Sequence, residues 1–182
     1  GDDLLFDGAG SDTAILGWGN DSLNLPTTDP RNTSGIVPNQ GGDDVVFLIP
    51  NSTLTAYDSV GHNTLNFSLA DSGITQANGV TFDLELTQRS TIVAQDVAPG
   101  SLEPATHFVA ALGVFDALVG SNYGDSLTAA SNSAVLGGLG NDNFYTKDDI
   151  TDATFSGGDD ADVLTARGVR VARISFKGDD GI

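Results

Sequence analysis

A nine-residue repeat of glycine and aspartate constrains this chain more than any other feature of its sequence. Residues 8–25 read GAGSDTAILGWGNDSLNL and hold two consecutive copies of a unit with the form Gly-x-Gly-x-Asp-x-apolar. Asp3 lies nine residues before Asp12, so we expect the chain to begin inside a further copy and to be a piece of a longer protein. The positions that recur at this spacing are Gly8 and Gly17, Gly10 and Gly19, and Asp12 and Asp21.

Each unit predicts one tight turn followed by one short strand. Glycine permits the positive φ angles that a tight turn needs, and side chains alternate between the two faces of a strand. The apolar residue two places after each aspartate is therefore expected to point inward, at Leu5, Ala14 and Leu23. A fixed short period is typical of a solenoid whose coils stack and share one core. We expect an all-β parallel roll or helix with two units in each coil.

The unit returns, with changes, further along the chain. Residues 26–38 interrupt the period and are expected to form a surface loop. Residues 137–144, GGLGNDNF, match the unit at every position, whereas Asn63 and Ser133 stand where two other copies should carry an acid. Later copies carry their acids at Asp44, Asp125, Asp142 and Asp162. We expect the Asp21 turn to stack on the Asp3 turn, and the Asp44 turn on the Asp12 turn.

The middle of the chain follows a different pattern, so we divide the sequence into residues 1–68, 69–119 and 120–182. Residues 80–86 alternate strictly between apolar and polar, which predicts a longer strand. Residues 95–106 contain two prolines and predict a loop, and residues 108–119 are apolar enough for either a strand or a short helix. The residues of this segment expected in the core are Phe82, Leu84, Leu86, Phe115 and Leu118.

The charge of the chain limits its partners. With 25 acidic and only 7 basic residues, the formal net charge is -18, and such a chain repels nucleic acid and anionic membrane surfaces. No apolar run approaches the roughly 20 residues needed to span a bilayer. The absence of Cys excludes disulfides and thiolate metal sites. A cationic partner is the natural expectation, with no nucleic acid partner and no membrane insertion.

The chemistry of the repeat favours a hard cation. Ca²⁺ takes about six to eight oxygen ligands in a flexible shell, and each unit offers one carboxylate and several free turn carbonyls. Mg²⁺ prefers a rigid octahedral shell, and zinc is disfavoured because His62 and His107 are the only His. A Gly-Asp pair can also be a simple hairpin turn, but that reading does not explain why glycines, acid and apolar residue recur in phase.

These residues resemble the RTX, or haemolysin-type, calcium-binding repeat family, over residues 1–25, 41–47 and 120–164. The middle segment is similar to the longer strands between such repeats in serralysin-type C-terminal domains and large bacterial surface proteins. The resemblance implies a right-handed parallel β-roll, type I secretion and calcium-driven folding outside the cell. It implies side-chain ligands at Asp3, Asp12, Asp21, Asp44, Asp125, Asp142 and Asp162. It implies carbonyl ligands at Gly8, Gly10, Gly17, Gly19, Gly138 and Gly140.

Three functions follow as hypotheses. The first is a non-enzymatic, calcium-binding structural module of a secreted, cell-surface or matrix bacterial protein of the S-layer or adhesin type. Its partners would be calcium ions, copies of itself or neighbouring domains of the parent chain. The second is a non-catalytic C-terminal domain of a secreted enzyme, such as a serralysin-type protease or an alginate epimerase. The third is a module that binds surface glycans through Trp18, Tyr123 and Tyr145, although aromatic residues near turns usually fill gaps.

Overall fold

A computed structural model describes residues 4–6, 13–15, 20–24, 45–47, 53–58, 62–68, 79–89, 91, 93–97, 108–147, 150–167 and 174–177. The strands in these ranges, numbered in chain order, are β1 (Leu4–Phe6), β2 (Thr13–Ile15), β3 (Asn20–Asn24), β4 (Val45–Phe47), β5 (Thr53–Asp58), β6 (Thr64–Asn66), β7 (Thr81–Asp83), β8 (Val93–Asp96), β9 (Phe108–Gly113), β10 (Ala117–Val119), β11 (Ser126–Thr128), β12 (Ala134–Gly138), β13 (Asn143–Tyr145), β14 (Ala153–Gly158), β15 (Val163–Thr165) and β16 (Ile174–Lys177). A 3-10 helix, Leu84–Gln88, is the one helical element among the described residues.

The strands form three sheets, and the chain alternates between them. One seven-stranded parallel sheet has the order β16-β14-β12-β10-β6-β4-β2. The strands between its members form a five-stranded sheet, β1-β3-β5-β9-β8, and a four-stranded parallel sheet, β15-β13-β11-β7. Among the described strands, β8 and β9 form the one antiparallel pair. Consecutive strands on different sheets, each paired in parallel with a strand one coil away, define a β-solenoid, as the repeat predicted.

The register of the strands agrees with the predicted stacking of the first coils. Leu4 pairs with Ser22, so the strands that follow the Asp3 and Asp21 positions lie side by side. Thr13 pairs with Val45, which places the strand after Asp12 beside the strand after Asp44. Asp3, Asp12 and Asp44 themselves, and the inserted loop predicted at 26–38, lie outside the described residues.

The core is a set of apolar ladders that run from coil to coil. In the seven-stranded sheet, Leu65, Leu118 and Val135 occupy one register position and are at most 1% exposed. In the four-stranded sheet, Phe82, Leu127 and Phe144 do the same. Four of these residues, Leu65, Val135, Leu127 and Phe144, are at positions that the repeat assigns to its inward residue. Val46, the inward residue of the Asp44 unit, is also buried. Stacking therefore buries a side chain that no single coil could cover.

The prediction of one long strand over residues 80–86 is wrong. Strand β7 ends at Asp83, whose carboxylate accepts the amide of Glu85 at 3.1 Å and caps the 3-10 helix. In a 3-10 helix residues three apart share a face, so Leu84 and Thr87 are buried together and Leu86 is partly exposed. Phe82, Leu84, Phe115 and Leu118 lie in the core as expected, and Leu86 does not.

The apolar segment 108–119 is two strands rather than one element. Strand β9 ends at Gly113, and a turn with Asp116 leads into β10, which belongs to a different sheet. Gly113 has a φ of 144°. The segment is therefore β structure, and no helix forms there. No helix within the described ranges is long and apolar enough to cross a membrane.

A buried glutamine joins the two shorter sheets. Gln95 of β8, only 9% exposed, accepts the amide of Asp83 at 2.8 Å and donates to the carbonyl of Asp83 at 2.9 Å. The amide of Thr81 also donates to the carbonyl of Val97 at 3.0 Å. We call this junction between β8 and β7 the seam. The loop predicted from residue 95 onward therefore starts later, because Gln95 and Asp96 are part of β8.

Replacing the glutamine of the seam tests its structural role. Gln95→Ala leaves the amide and carbonyl of Asp83 without their partner, and a buried unsatisfied polar group costs about 1–3 kcal/mol. We expect a lower urea midpoint in calcium-containing buffer and faster hydrogen exchange at Asp83. Gln88→Ala, at an exposed position of the 3-10 helix, is the control and should change neither. Equal effects of the two substitutions would show that the seam contributes nothing specific.

Candidate metal centre

Three acids of the C-terminal repeats lie on one edge of the solenoid. Asp125, Asp142 and Asp162 each directly precede a strand, namely β11, β13 and β15. Ser126 pairs with Asn143, and Asn143 with Val163, so the three acids occupy one register position in successive coils. We call this row the aspartate ladder. The sequence predicted these acids as a set, and the fold brings them together.

Each acid of the ladder accepts a hydrogen bond from a backbone amide of the coil before it. The amide of Asp125 donates to Asp142 Oδ1 at 2.8 Å, and the amide of Asp142 donates to Asp162 Oδ1 at 3.0 Å. The row ends at Val80, whose amide donates to Asp125 Oδ1 at 2.5 Å. A carboxylate that accepts a backbone amide forms a charge-assisted hydrogen bond. One oxygen of each acid therefore serves the stacking of the coils.

The second oxygen of two of these acids has no hydrogen-bond partner. Asp142 is 0% exposed, and the Oδ2 atoms of both Asp142 and Asp162 are buried and unbonded. A third such oxygen, Glu85 Oε2, differs because Lys147 Nζ lies 3.5 Å from it. Among the described residues, no basic group pairs with Asp142 or Asp162. A buried, uncompensated carboxylate oxygen is costly, and a cation is the partner that would satisfy it.

The first glycine of each unit makes room for these oxygens. A Cβ atom built on Gly137 would overlap both Asp142 Oδ2 and the carbonyl oxygen of Gly157. A Cβ atom on Gly157 would overlap Asp162 Oδ2 in the same way. Beside Gly137, therefore, a carboxylate oxygen and a carbonyl oxygen from the next coil approach the same point. Two oxygen acceptors at close range suit a hard cation such as Ca²⁺.

The environment of Asp142 opposes its negative charge. The pKa of Asp142 is raised from 3.8 to about 7, mainly by burial. The charges of Asp125, Asp162 and Asp160 contribute to this rise, and the hydrogen bond from the Asp125 amide opposes it. Without a positive partner, Asp142 is thus partly protonated near neutral pH. A nearby cation favours the charged form of the carboxylate.

The turn that carries Asp142 uses backbone conformations that suit glycine. Gly138 has a φ of 114° and Gly140 a φ of 100°. The carbonyl of Gly138, a predicted ligand, accepts the amide of Asp159 at 3.1 Å, and the amide of Gly140 donates to Asp160 Oδ2 at 3.3 Å. Asp160 replaces glycine in the next coil and keeps a positive φ of 80°. An acid therefore occupies a position better suited to glycine, close to the ladder.

The remaining predicted ligands are not tested by the structure. Asp21 lies in β3, in register with Leu54. The ligand roles of Asp125, Gly138, Gly140, Asp142 and Asp162 stay predictions, although the geometry around Asp142 and Asp162 fits them. The predicted ligand residues outside the described ranges are Asp3, Gly8, Gly10, Asp12, Gly17, Gly19 and Asp44.

One further acid with the same stacking role was missed by the sequence analysis. Asp116 lies in register with Asn63, because Ala117 pairs with Thr64, and its Oδ2 accepts the amide of Asn63 at 3.0 Å. The glycines of the unit are missing before Asp116. The only signal in the sequence is the order Asp-Ala-Leu, which matches the Asp-x-apolar part of the unit. In the next coil Ser133 closes its own turn, with hydrogen bonds to the amide and carbonyl of Ala130 at 3.2 and 2.8 Å.

Within the described ranges, no three His, Asp or Glu side chains converge as a metal-binding cluster. The aspartate ladder supplies one carboxylate in each coil. The resemblance to the RTX family assigns the rest of the shell to turn carbonyls, and the carbonyl of Gly157 beside Asp142 is of that kind.

Comparisons with known proteins do not identify the chain. No protein-family model matches it, and searches of curated proteins and of solved structures return no significant match. The likeness to the RTX family therefore rests on the repeats themselves.

The raised pKa of Asp142 predicts an inverted pH dependence when calcium is removed. The carboxyl of Asp142 binds its proton more tightly in the folded state than in the unfolded state. The contribution of this proton to the free energy of unfolding is therefore lost as pH rises from 3.8 through about 7. In excess chelator we expect a larger β signal in circular dichroism at about pH 5 than at about pH 8, with a slope of up to about 1.4 kcal/mol per pH unit. Asp142→Asn should flatten this difference; an unchanged profile would contradict the assignment.

The acid at position 160 should destabilise the chain when no cation is bound. Asp160→Gly removes a charge near Asp142 and suits the positive φ, so we expect a gain of about 1 kcal/mol in chelator, measured by urea unfolding. Asp160→Asn removes the charge but keeps a side chain at the positive φ. The difference between the two variants therefore separates the electrostatic contribution to the free energy of unfolding from the backbone contribution. A loss of stability in Asp160→Gly would show that the hydrogen bond from the Gly140 amide outweighs both.

Proposed function

We propose that this chain is a calcium-binding structural module whose folding depends on Ca²⁺. One observation carries the proposal: the Oδ2 atoms of Asp142 and Asp162 are buried without a hydrogen-bond partner in stacked glycine-rich turns. Each of these oxygens lies against a glycine that has no space for a side chain. Bound Ca²⁺ would supply the positive charge that these oxygens lack.

The choice of calcium follows from the donors. Asp142 and Asp162 would hold the ion through their free carboxylate oxygens, and turn carbonyls such as that of Gly157 would complete the set. All of these are hard oxygen donors on turns, which suits the flexible shell of Ca²⁺ better than the rigid octahedron of Mg²⁺. The net charge of -18 attracts divalent cations to the chain before any site is formed.

Coupling to folding follows from the repulsion within the ladder. In the folded chain Asp142 is surrounded by Asp125, Asp160 and Asp162, and the charges of all three raise its pKa. The unfolded chain separates these acids, so their repulsion and burial oppose folding in the absence of a cation. A ligand that binds only the folded state shifts the equilibrium toward that state.

The setting we propose is a secreted or cell-surface protein of the RTX type in bacteria. Calcium is scarce in cytosol and abundant outside cells, so a chain with this coupling would fold after export. The module carries no proposed catalytic role, and it would act as a scaffold that joins or presents other parts of its parent chain or further copies of itself. This part of the proposal rests on the resemblance of residues 1–25, 41–47 and 120–164.

A calcium titration of the 182-residue chain tests the proposal. The β signal in circular dichroism should collapse in excess chelator and return on addition of Ca²⁺, with little recovery in the same concentration of Mg²⁺. Asp142→Asn should raise the calcium midpoint roughly tenfold, a loss of about 1.4 kcal/mol.

Asp159→Asn is the matched control, because Asp159 is exposed and its contact with Gly138 is made by its backbone amide. It should leave the calcium midpoint close to that of the unmodified chain. A spectrum that does not change in excess chelator would reject calcium-dependent folding.

A further inference from the structure

The first acid of the aspartate ladder differs from the other two in its hydrogen bonds. Its Oδ2 atom and the carbonyl oxygen of Gly137 approach Gly120 as Asp142 Oδ2 and the carbonyl oxygen of Gly157 approach Gly137. Asp125 is 1% exposed, and both of its carboxylate oxygens are hydrogen-bonded. Oδ2 accepts the amide of Ser121 at 2.6 Å, and Oδ1 accepts the hydroxyl of Ser121 at 2.7 Å as well as the amide of Val80 at 2.5 Å. Its charge is therefore met by three donors within the protein.

The difference comes from one residue of the turn. Ser121 stands at the position that glycine holds in the next two coils, Gly138 and Gly158, which pair with each other. Those glycines have φ values of 114° and 105°, whereas Ser121 has no positive φ. The turn with serine places the Ser121 amide on Asp125 Oδ2 and the Ser121 hydroxyl on Asp125 Oδ1. The turns with glycine leave Oδ2 unbonded.

We infer that Ser121 takes the place of a cation at Asp125, so that the turn of residues 120–125 closes without calcium and ions bind only at the Asp142 and Asp162 turns of this edge. The inference rests on the proposed calcium binding and restricts where it occurs. It makes the serine at the second position of the unit the residue that decides whether a turn is metal-dependent.

A consequence is that the coil with the Asp125 turn would be stabilised by hydrogen bonds within the protein and would need no bound ion. The Asp125 turn is hydrogen-bonded to Val80 just before β7, and the strands that follow pair Phe82 with Leu127, both at most 1% exposed. This coil would offer a preformed edge on which the metal-dependent coils with β13 and β15 stack. Calcium would then extend a structure that the chain has already begun.

Counting bound ions tests the inference. Isothermal titration with CaCl₂ gives the number of ions for the whole chain and for its variants. We expect Asp142→Asn to lose one ion, Asp125→Asn to keep the number of the unmodified chain, and Ser121→Gly to gain one ion. Loss of an ion in Asp125→Asn, or no gain in Ser121→Gly, would overturn the inference while calcium binding by the chain itself still stands.

Hydrogen exchange provides a measurement that needs no variant. In excess chelator, the amides of Ser121 and Val80, which donate to Asp125, should exchange at least about tenfold more slowly than those of Asp142 and Val163. Equal exchange at the two places would contradict a metal-independent turn. If the unmodified chain binds no Ca²⁺ at all, the proposed function fails together with this inference, and the ion count separates that result from failure of the inference alone.

Ser121→Ala distinguishes the hydroxyl from the backbone amide. The substitution removes the hydrogen bond from the hydroxyl to Asp125 Oδ1 and keeps the amide on Oδ2. We expect faster exchange of the Ser121–Thr128 amides in chelator and an unchanged number of ions. A gain of an ion would mean that the hydroxyl alone excludes the cation, which still supports the inference; a loss of an ion would contradict it.

Discussion

The structure depends on carboxylates that are buried at the edge of the coils. Asp142 and Asp162 each accept the backbone amide of the acid one coil before them, and Asp125 accepts the amide of Val80. The carboxylates therefore lie between stacked coils. This arrangement fixes the register of neighbouring coils at their most variable point, the turn. It also concentrates like charges at the spacing of neighbouring strands, where repulsion is strong unless something positive is close. The hydrogen bonds that stack the coils and the repulsion that a cation would offset therefore come from the same acids.

The short strands could not be stable alone, because most contain three residues. Their stability comes from ladders of identical position, in which a buried Leu, Val or Phe is covered by its counterpart in the next coil. Phe144 is in register with Leu127 and Leu164 of the neighbouring coils. Its ring also contacts Phe155 and Phe176 of the seven-stranded sheet, with ring centroids 5.6 and 6.0 Å away. Burial of such side chains contributes roughly 1.5–3 kcal/mol each. Regular stacking is thus required by the size of the strands.

Much of the fold could be predicted from the sequence, because the repeat encodes both the turn and the inward residue. The solenoid, the inward role of Val46 and Phe144, and the pairing of the first coils all followed from a nine-residue spacing. The 3-10 helix could not be predicted in that way, since residues 80–86 alternate like a strand, and the ending at Asp83 depends on a cap and on distant Gln95. The two hydrogen bonds of Gln95, twelve residues away, are not visible in the local sequence pattern.

For the candidate site, the sequence predicted which acids lie together but not their hydrogen bonds. The repeat identified Asp125, Asp142 and Asp162 as one set, but it could not show that Asp125 has internal donors while the other two have a free oxygen. That distinction depends on the φ angle and side chain at one turn position, Ser121 or Gly138, which the motif treats as a minor variation. Asp116 escaped notice because its stacking role does not need the glycines.

The seam gives the two faces of the solenoid different mechanical properties. One face is a continuous sheet of seven parallel strands, and the opposite face is interrupted where β8 meets β7. The hydrogen bonds between strands run along the solenoid axis. A pulling force along that axis would therefore be carried by the hydrogen bonds of the continuous sheet. The interrupted face is joined there by a few bonds, chiefly those of Gln95. Bending that opens this face should therefore concentrate at the seam. The module would behave as two stiff segments joined by the continuous seven-stranded sheet.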